Sequence, residues 1–173
     1  LSVQHLMSRF PKSEFRADAL FLTGMCFTKQ REFEQASAVF DSVLKQYPKY
    51  EKRDQILYTM AETAATRRDR AAAIRGYTKL ARDFPKSRYT PPALRRVGEL
   101  YFEAARYDSA SAAYGMLLAL SKESKDRIDA GVLKAQAMLR VGRAEEALTL
   151  LRDLEPAEAG TALLPVEPTQ SAQ

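Results

Sequence analysis

The chain has 173 residues, 46% of them hydrophobic and 28% charged, a composition that suits one globular domain with a continuous core. The formal net charge of +5 comes from basic residues spread along the chain, so we expect no nucleic-acid partner. A single cysteine excludes an intramolecular disulfide and a multi-thiolate metal site, and no apolar run approaches the ~20 residues of a transmembrane helix.

A short motif recurs at a fixed spacing. Phe-Pro-Lys-Ser at residues 10–13 returns as Tyr-Pro-Lys-Tyr at 47–50 and as Phe-Pro-Lys-Ser at 84–87, so the prolines lie 37 residues apart. A period of this size, in a sequence rich in Ala, Leu, Arg and Glu, indicates stacked helix pairs. The sequence therefore predicts an all-α fold built from repeats of 37 residues.

The helical spacing of apolar residues predicts the elements in chain order. Residues 1–12 have the pattern of the second helix of a truncated repeat, and Ser13 is a natural N-cap for the helix that follows. In the third pair, Thr90 is expected to be the N-cap and Pro91 the first helical residue. The predicted pairs are 14–29 with 32–46, 52–67 with 70–83, 91–105 with 107–120, and 127–141 with 143–154.

These pairs predict one helical repeat domain over residues 1–154, followed by a Pro/Ala-rich tail or linker at 155–173. An apolar island at 162–166 is expected to cover the exposed end of the fourth pair. Within the domain, the predicted repeats span 13–50, 51–88, 89–125 and 126–154.

Superposing the repeats aligns residues of similar size in columns. A small residue recurs on each first helix and a large one on each second helix, so the two backbones can approach while large side chains fill the gaps. Gly131 stands in the leucine column of the fourth repeat, which we interpret as the worn end of the array. The columns are Leu20, Leu57 and Leu94; Gly24, Ala61, Gly98 and Ala135; Ala36, Ala73, Ala110 and Ala147; and Phe40, Tyr77, Tyr114 and Leu151.

The third repeat reads Leu94-x-x-Val97-Gly98-x-x-Tyr101, followed by Ala110-x-x-x-Tyr114. This pattern resembles the tetratricopeptide repeat. The resemblance implies a right-handed α-solenoid of antiparallel helix pairs, with about four repeats plus one leading half repeat, whose first helices line a concave groove.

The longer period and the proline motif are similar to bacterial envelope tetratricopeptide proteins, such as the outer-membrane β-barrel assembly lipoprotein and the Tol-Pal-associated periplasmic coordinator. This likeness implies a periplasmic or outer-membrane-associated location, with the cytoplasm as the alternative.

Residues suited to catalysis are few. His5 and Cys26 would need each other and a third, orienting group to form a nucleophile pair, so we interpret both as surface or packing residues. Glu62 and Glu99 share a column on successive first helices. They could act as an acid/base pair, but we favour a solvated groove feature paired with a nearby base such as Arg95. The sequence predicts no enzyme, no cofactor and no metal site.

The concave groove is the predicted binding site. Phe21, Tyr58 and Phe102 are expected to anchor an amphipathic helix or an extended peptide, the alternative being that Phe21 and Phe102 only complete the packing. The predicted groove residues are Phe21, Met25, Tyr58, Glu62, Arg95, Glu99, Phe102 and Leu139.

Two functions remain open. The first is a non-catalytic scaffold that binds a protein or peptide partner, and the second is a structural spacer or oligomerisation arm of a larger multi-repeat protein that self-associates through exposed repeat ends. The outer face carries a basic run at 67–70, then Arg75, Lys79 and Arg82. We interpret these charges as solvated, with contact to an anionic partner or lipid surface as the alternative.

Overall fold

A computed structural model describes residues 16–154, which form eight α-helices with no strand among them. The helix ends agree with the predicted ranges to within three residues. The predicted helix at 1–12, Ser13 and the tail at 155–173 lie outside the described residues. The helices are α1 (Arg16–Lys29), α2 (Phe33–Gln46), α3 (Arg53–Thr66), α4 (Arg70–Asp83), α5 (Thr90–Glu103), α6 (Tyr107–Leu120), α7 (Ser124–Arg140) and α8 (Ala144–Leu154).

The helices pack in the order in which they occur along the chain. We call the pairs α1/α2, α3/α4, α5/α6 and α7/α8 units 1 to 4, each with a first and a second helix. Packing is close within every unit and at the α4–α5 and α6–α7 junctions, whereas α2 and α3 contact each other much less. The predicted all-α solenoid is confirmed, and the junction between units 1 and 2 is its most open point.

The turn inside each unit repeats with the same period. Arg31, Arg68, Ala105 and Gly142 have positive φ angles of 63°, 61°, 56° and 79°, and they lie 37 residues apart. In each turn the next residue donates its backbone N–H to a carbonyl five residues earlier, as Asp69 does to Ala64 at 2.9 Å. This is the left-handed C-cap that lets a helix end and reverse direction.

In the two proline motifs that lie within residues 16–154, the residue after Pro-Lys bonds the connection to the helix pair before it. Tyr50 donates its hydroxyl to Asp18 at 2.7 Å, and Ser87 donates its hydroxyl to Asp54 at 2.5 Å. Both acceptors lie in the first turn of the preceding first helix. The recurring motif is therefore a structural latch as well as a boundary between units.

Thr90 was expected to be an N-cap, and this prediction is wrong. It is the first residue of α5 and is almost fully buried, at 1% exposure. Its hydroxyl donates to the carbonyl of Phe84 at 2.6 Å, at the end of α4. Because the last carbonyls of a helix lack intrahelical donors, this bond ties α5 to α4. Pro91 then lies in the first turn of α5.

Small residues let the two helices of a unit approach. A Cβ atom added to Gly24 would lie 2.5 Å from the Phe40 ring, and one added to Gly98 would overlap the Tyr114 ring. In unit 2 the glycine moves to the second helix, where a Cβ on Gly76 would lie 2.9 Å from that of Ala61. The predicted pairing of small and large columns is what fills the core.

Gly131 also makes room for a specific partner. A Cβ atom at this position would overlap Leu154 Cδ1 on α8. Earlier units carry a leucine at this position of the first helix. In unit 4 the position is a glycine, and the side chain of Leu154 from the second helix occupies the space instead. Gly131 is part of the packing of unit 4, which corrects its interpretation as a sign of wear.

Candidate functional site

A cleft opens between units 1 and 2 on the side of the first helices. It encloses about 290 Å³, and we call it the inner cleft. Two of the predicted groove residues, Tyr58 and Glu62, line it. Its full lining is Thr28, Arg31, Phe33, Tyr58, Thr59, Glu62, Thr63 and Thr66.

Tyr58 and Glu62 belong to a cluster that also includes a buried tyrosine of α4. The Tyr58 ring lies 5.7 Å from the Tyr77 ring and 5.3 Å from the Tyr89 ring, measured between centroids. The fully buried Tyr77 donates its hydroxyl to Glu62 Oε1. Glu62 is therefore held in a fixed orientation at the mouth of the inner cleft by a rigid side chain below it.

Arg96 connects Glu62 to Glu99 across the junction of units 2 and 3. Its Nε atom lies 3.5 Å from Glu62 Oε1, and its Nη1 donates to Glu99 Oε2 at 2.7 Å. The two carboxylates share one column as predicted, but Arg95 as their partner was wrong. Among the described residues, Arg96 is the arginine that pairs with both. Hydrogen bonding to Glu99 raises the pKa of Arg96 further, so the bridge stays charged.

The same cluster keeps its tyrosines neutral. Burial raises the pKa of Tyr77 well above its ordinary value, and the hydrogen bond to Glu62 raises it further. Burial, followed by the negative charge of Glu62, also raises the pKa of Tyr58. Both hydroxyls thus remain protonated donors beside a carboxylate at neutral pH.

Phe21 lies in the core, away from the accessible surface. It is 6% exposed and packs against Phe40 and Tyr50, with ring centroids 6.4 and 6.2 Å away. Lys52 Nζ covers the ring at 5.5 Å and bonds Asp18 at 2.8 Å. This placement removes Phe21 from the surface that a ligand can reach and supports the alternative of a packing role.

The remaining predicted groove residues differ in accessibility. Met25 is half-buried and packs in the core of unit 1. Phe102 is half-buried and packs edge-on against Tyr107, with centroids 5.1 Å apart, while the Arg140 guanidinium lies 5.9 Å from its ring. Leu139, one repeat further along, is 53% exposed. Whether these residues bind a ligand stays a prediction.

A family comparison identifies the chain. The model of the YfiO family, described as outer membrane lipoprotein, matches residues 2–118, more than half of the chain. The chain belongs to the YfiO family. In this YfiO-family protein the match extends from before the described residues to the end region of α6, and so includes the inner cleft and the Glu62–Arg96–Glu99 bridge.

The YfiO-family chain is also similar in fold to solved repeat proteins. MamA (AMB-1) superposes with a TM-score of 0.61 at 18% identity, covering 93% of this chain and 83% of that one. BtubC from P. vanneervenii gives 0.61 at 13% identity, covering 99% and 76%. TPR-like repeats of a kinesin light chain from Podosopora anserina give 0.61 at 12%, covering 94% and 86%. At these identities the likeness shows the tetratricopeptide-type fold alone.

No curated protein matches the sequence significantly. Within residues 16–154, no cluster of three His, Cys, Asp or Glu side chains is arranged to hold a metal ion. Nor is any helix of that region both long enough and apolar enough to span a bilayer. Cys26 is exposed, and His5 lies outside the described residues.

Sequence reasoning missed two members of the cluster. Tyr77 was assigned to the core column, and the sequence gives no signal that its hydroxyl reaches Glu62 on the neighbouring helix. Arg96 follows Arg95 directly, and only the rotation of α5 decides which of the two faces unit 2. One signal was available, since Arg96 lies three residues before Glu99, a spacing that brings the two side chains together on a helix.

Proposed function

We propose that this YfiO-family chain is a non-catalytic scaffold that binds a peptide or helical segment of a partner protein in the groove along its first helices. The observation that carries the proposal is the inner cleft, where Tyr58 and Glu62 flank an open cavity between units 1 and 2. Tyr58 offers an aromatic face and the half-buried Glu62 a carboxylate, a combination that suits an anchored peptide. The tetratricopeptide-type fold, found in interaction proteins, supports it further.

The electrostatics of the groove define the ligand we expect. Glu62 and Glu99 share the single charge of Arg96, so this bridge keeps an excess negative charge, while Arg31 lines the inner cleft on the side of unit 1. We therefore infer that the bound segment carries an apolar side chain for the inner cleft and a basic side chain for this carboxylate pair. We propose that Leu139 of unit 4, which is 53% exposed, extends the apolar part of this groove.

We also propose that this binding serves bacterial envelope assembly. The description of the YfiO family as outer membrane lipoproteins supports an envelope location. The proposal concerns the repeat domain and does not depend on how the chain reaches the membrane.

The test blocks the inner cleft without disturbing the core. Thr66 lines the cleft, is exposed, and donates its hydroxyl to the carbonyl of Glu62 four residues earlier, at 2.9 Å. Thr149 on α8 is also exposed and makes the same type of bond, to Glu145 at 2.9 Å, which provides a matched control. Peptides are selected from a phage-displayed random library on the full chain and then measured against Thr66→Arg and Thr149→Arg.

We expect the selected peptides to combine apolar and basic residues and to bind the wild type and Thr149→Arg equally. Their affinity for Thr66→Arg should fall by about tenfold or more, because arginine fills the cleft and repels the basic residue. Equal binding to both variants, or a selection that yields no cleft-dependent peptide, would refute groove binding.

A structural spacer or oligomerisation arm is the second candidate. Leu22 on α1 and Leu148 on α8 are 60% and 49% exposed. The residues equivalent to Leu22 in units 2 and 3, Thr59 and Arg96, contact the preceding unit, so Leu22 marks an end face of the described array. Light scattering that shows a dimer, converted to a monomer by Leu22→Glu or Leu148→Glu, would favour this candidate.

A further inference from the structure

A second and larger cleft opens between units 1 and 2 on the side of the second helices. It lies between α2 and α4 above α3, encloses about 520 Å³, and we call it the outer cleft. Phe33 and Thr63 line both clefts and so separate the outer from the inner one. A volume of this size is typical of a binding pocket, about 300–1,000 Å³.

The outer cleft arises from small side chains at a loosely packed junction. Ser37 lines it, whereas the equivalent residue at the next junction is Ile74, which packs against the core. Because α2 and α3 contact each other little, nothing from unit 2 fills the space that Ser37 leaves. The floor is apolar and includes Leu44, Leu57 and Met60.

One wall of the outer cleft is basic. Arg75, Lys79 and Arg82 follow each other at helical spacing on α4 and are all exposed, and the first two line the cleft. Asp83 pairs with Lys79 at 2.5 Å and with Arg82 at 3.0 Å, which leaves excess positive charge on this face. At the equivalent positions of α6 stand Ala112, Met116 and Ala119, so the basic stripe is specific to this helix.

Acidic residues are also present at the outer cleft, but they do not cancel the basic wall. Asp69 accepts the backbone N–H of Ala72 as the N-cap of α4, at 2.9 Å. Asp41 lies on the opposite wall, on α2. Arg67 at the edge pairs with Glu34 at 2.9 Å. The cleft therefore has a basic α4 side, and a ligand with negative charge on one flank fits it in one orientation.

We propose that the outer cleft binds an amphipathic helix of a partner protein that carries acidic residues beside its apolar stripe. The apolar stripe enters the recessed floor, and the acidic residues face Arg75 and Lys79. A flat anionic membrane fits less well, because the apolar floor lies between helices where a bilayer surface does not reach. This site lies on the other side of Phe33 and Thr63 from the groove of the proposed function and goes beyond that function.

The probe is a synthetic helix of about 18 residues, ~27 Å long, with leucines at helical spacing and flanking glutamates. A second peptide has lysine in place of every glutamate. Binding to the full chain is measured by fluorescence anisotropy at two salt concentrations. Vesicles of phosphatidylcholine with phosphatidylglycerol provide the lipid comparison.

Two variants and a control test the site. Arg75→Glu reverses the charge on the basic wall, and Ser37→Ile places in the cleft the side chain that fills the next junction. Arg152→Glu makes the same charge change at an exposed position on α8. Thermal unfolding of each variant verifies that it folds.

We expect the acidic peptide to bind the wild type and Arg152→Glu within about twofold of each other. Arg75→Glu and Ser37→Ile should each weaken it by about tenfold or more, and the lysine peptide should bind about tenfold more weakly than the acidic one. Thr66→Arg should have no effect, which separates this result from the inner cleft.

The proposal is overturned if neither peptide binds below about 100 µM, if both bind equally, or if Arg75→Glu behaves like Arg152→Glu. If vesicles bind in a way that depends on Arg75 and neither peptide binds, the basic wall contacts a lipid surface. That result would also overturn the proposal.

Discussion

Tyr77 on α4 donates its buried hydroxyl to Glu62 on α3, and this bond joins the aromatic column of the core to the carboxylate of the groove. The other aromatic residues of that column, Phe40 and Tyr114, make no such side-chain bond among the described residues. In unit 2 a buried core residue is thus hydrogen-bonded directly to a charged residue of the groove.

A double-mutant cycle measures this coupling. Tyr77→Phe should destabilise the fold by about 1–2 kcal/mol, because Glu62 loses a donor in a partly buried site. Glu62→Met, which has a similar volume but no oxygen acceptor, should cost a similar amount and also removes the bridge to Arg96. We expect a coupling free energy of at least ~0.5 kcal/mol in the double variant, from urea unfolding. Additive single effects would show that the bond contributes nothing to stability.

Substitution by alanine should change the free energy of unfolding differently at two helical glycines. Gly98→Ala places a Cβ atom against the buried Tyr114 ring, whereas the Cβ of Gly115→Ala would lie 3.7 Å from the Lys134 side chain, an ordinary contact. Both variants gain the same helix propensity, about 1 kcal/mol. The difference in unfolding free energy should therefore be the overpacking cost, about 1–3 kcal/mol in favour of Gly115→Ala. Equal stabilities would indicate that α6 shifts to accommodate the methyl group.

Substitutions in the turns with positive φ can test backbone strain alone, because an added side chain there does not change the packing of the core. Gly142 has φ 79° and no atom within 4 Å of an added Cβ, so Gly142→Ala should destabilise unit 4 by about 1 kcal/mol through strain alone. Ala105, one period earlier, has φ 56°, and Ala105→Gly should stabilise the fold or leave it unchanged. Calorimetric melting temperatures check both signs, and a destabilised Ala105→Gly would contradict this account.

Alkaline pH should weaken the fold through its buried tyrosines. Burial raises the pKa of Tyr114 from 10.0 to about 12, with the charge of Glu99 as a second cause. The unfolded chain releases the Tyr114 proton near pH 10 and the folded chain near pH 12. The contribution of Tyr114 to the free energy of unfolding is therefore fully present below pH 10 and is lost as the pH rises from 10 to 12. This loss amounts to about 2–3 kcal/mol.

Unfolding by urea at several pH values, with absorbance at the tyrosinate band, measures this loss. Tyr114→Phe should show a shallower decline than the wild type over the same range, because one of the groups with a shifted pKa is absent. Identical slopes for Tyr114→Phe and the wild type would rule out Tyr114 as a source of the pH dependence.

The sequence by itself determined the helix pairs, the 37-residue period and the identity of the core columns. These follow from local rules: apolar spacing sets which face of a helix is buried, and the proline motif sets where each second helix ends. The family resemblance followed from the same residues, and the YfiO match agrees with it.

Only the tertiary structure decided which residues meet across helices. Arg96 rather than Arg95 joins Glu62 to Glu99, Phe21 is covered by Lys52, and Leu154 enters the space at Gly131. Each outcome depends on helix rotation and interhelical distance, and neighbours along a helix differ in direction by about 100°. The two clefts also depend on tertiary packing: Ser37 in place of the equivalent Ile74 leaves room at this junction, but only the loose contact between α2 and α3 keeps that room open.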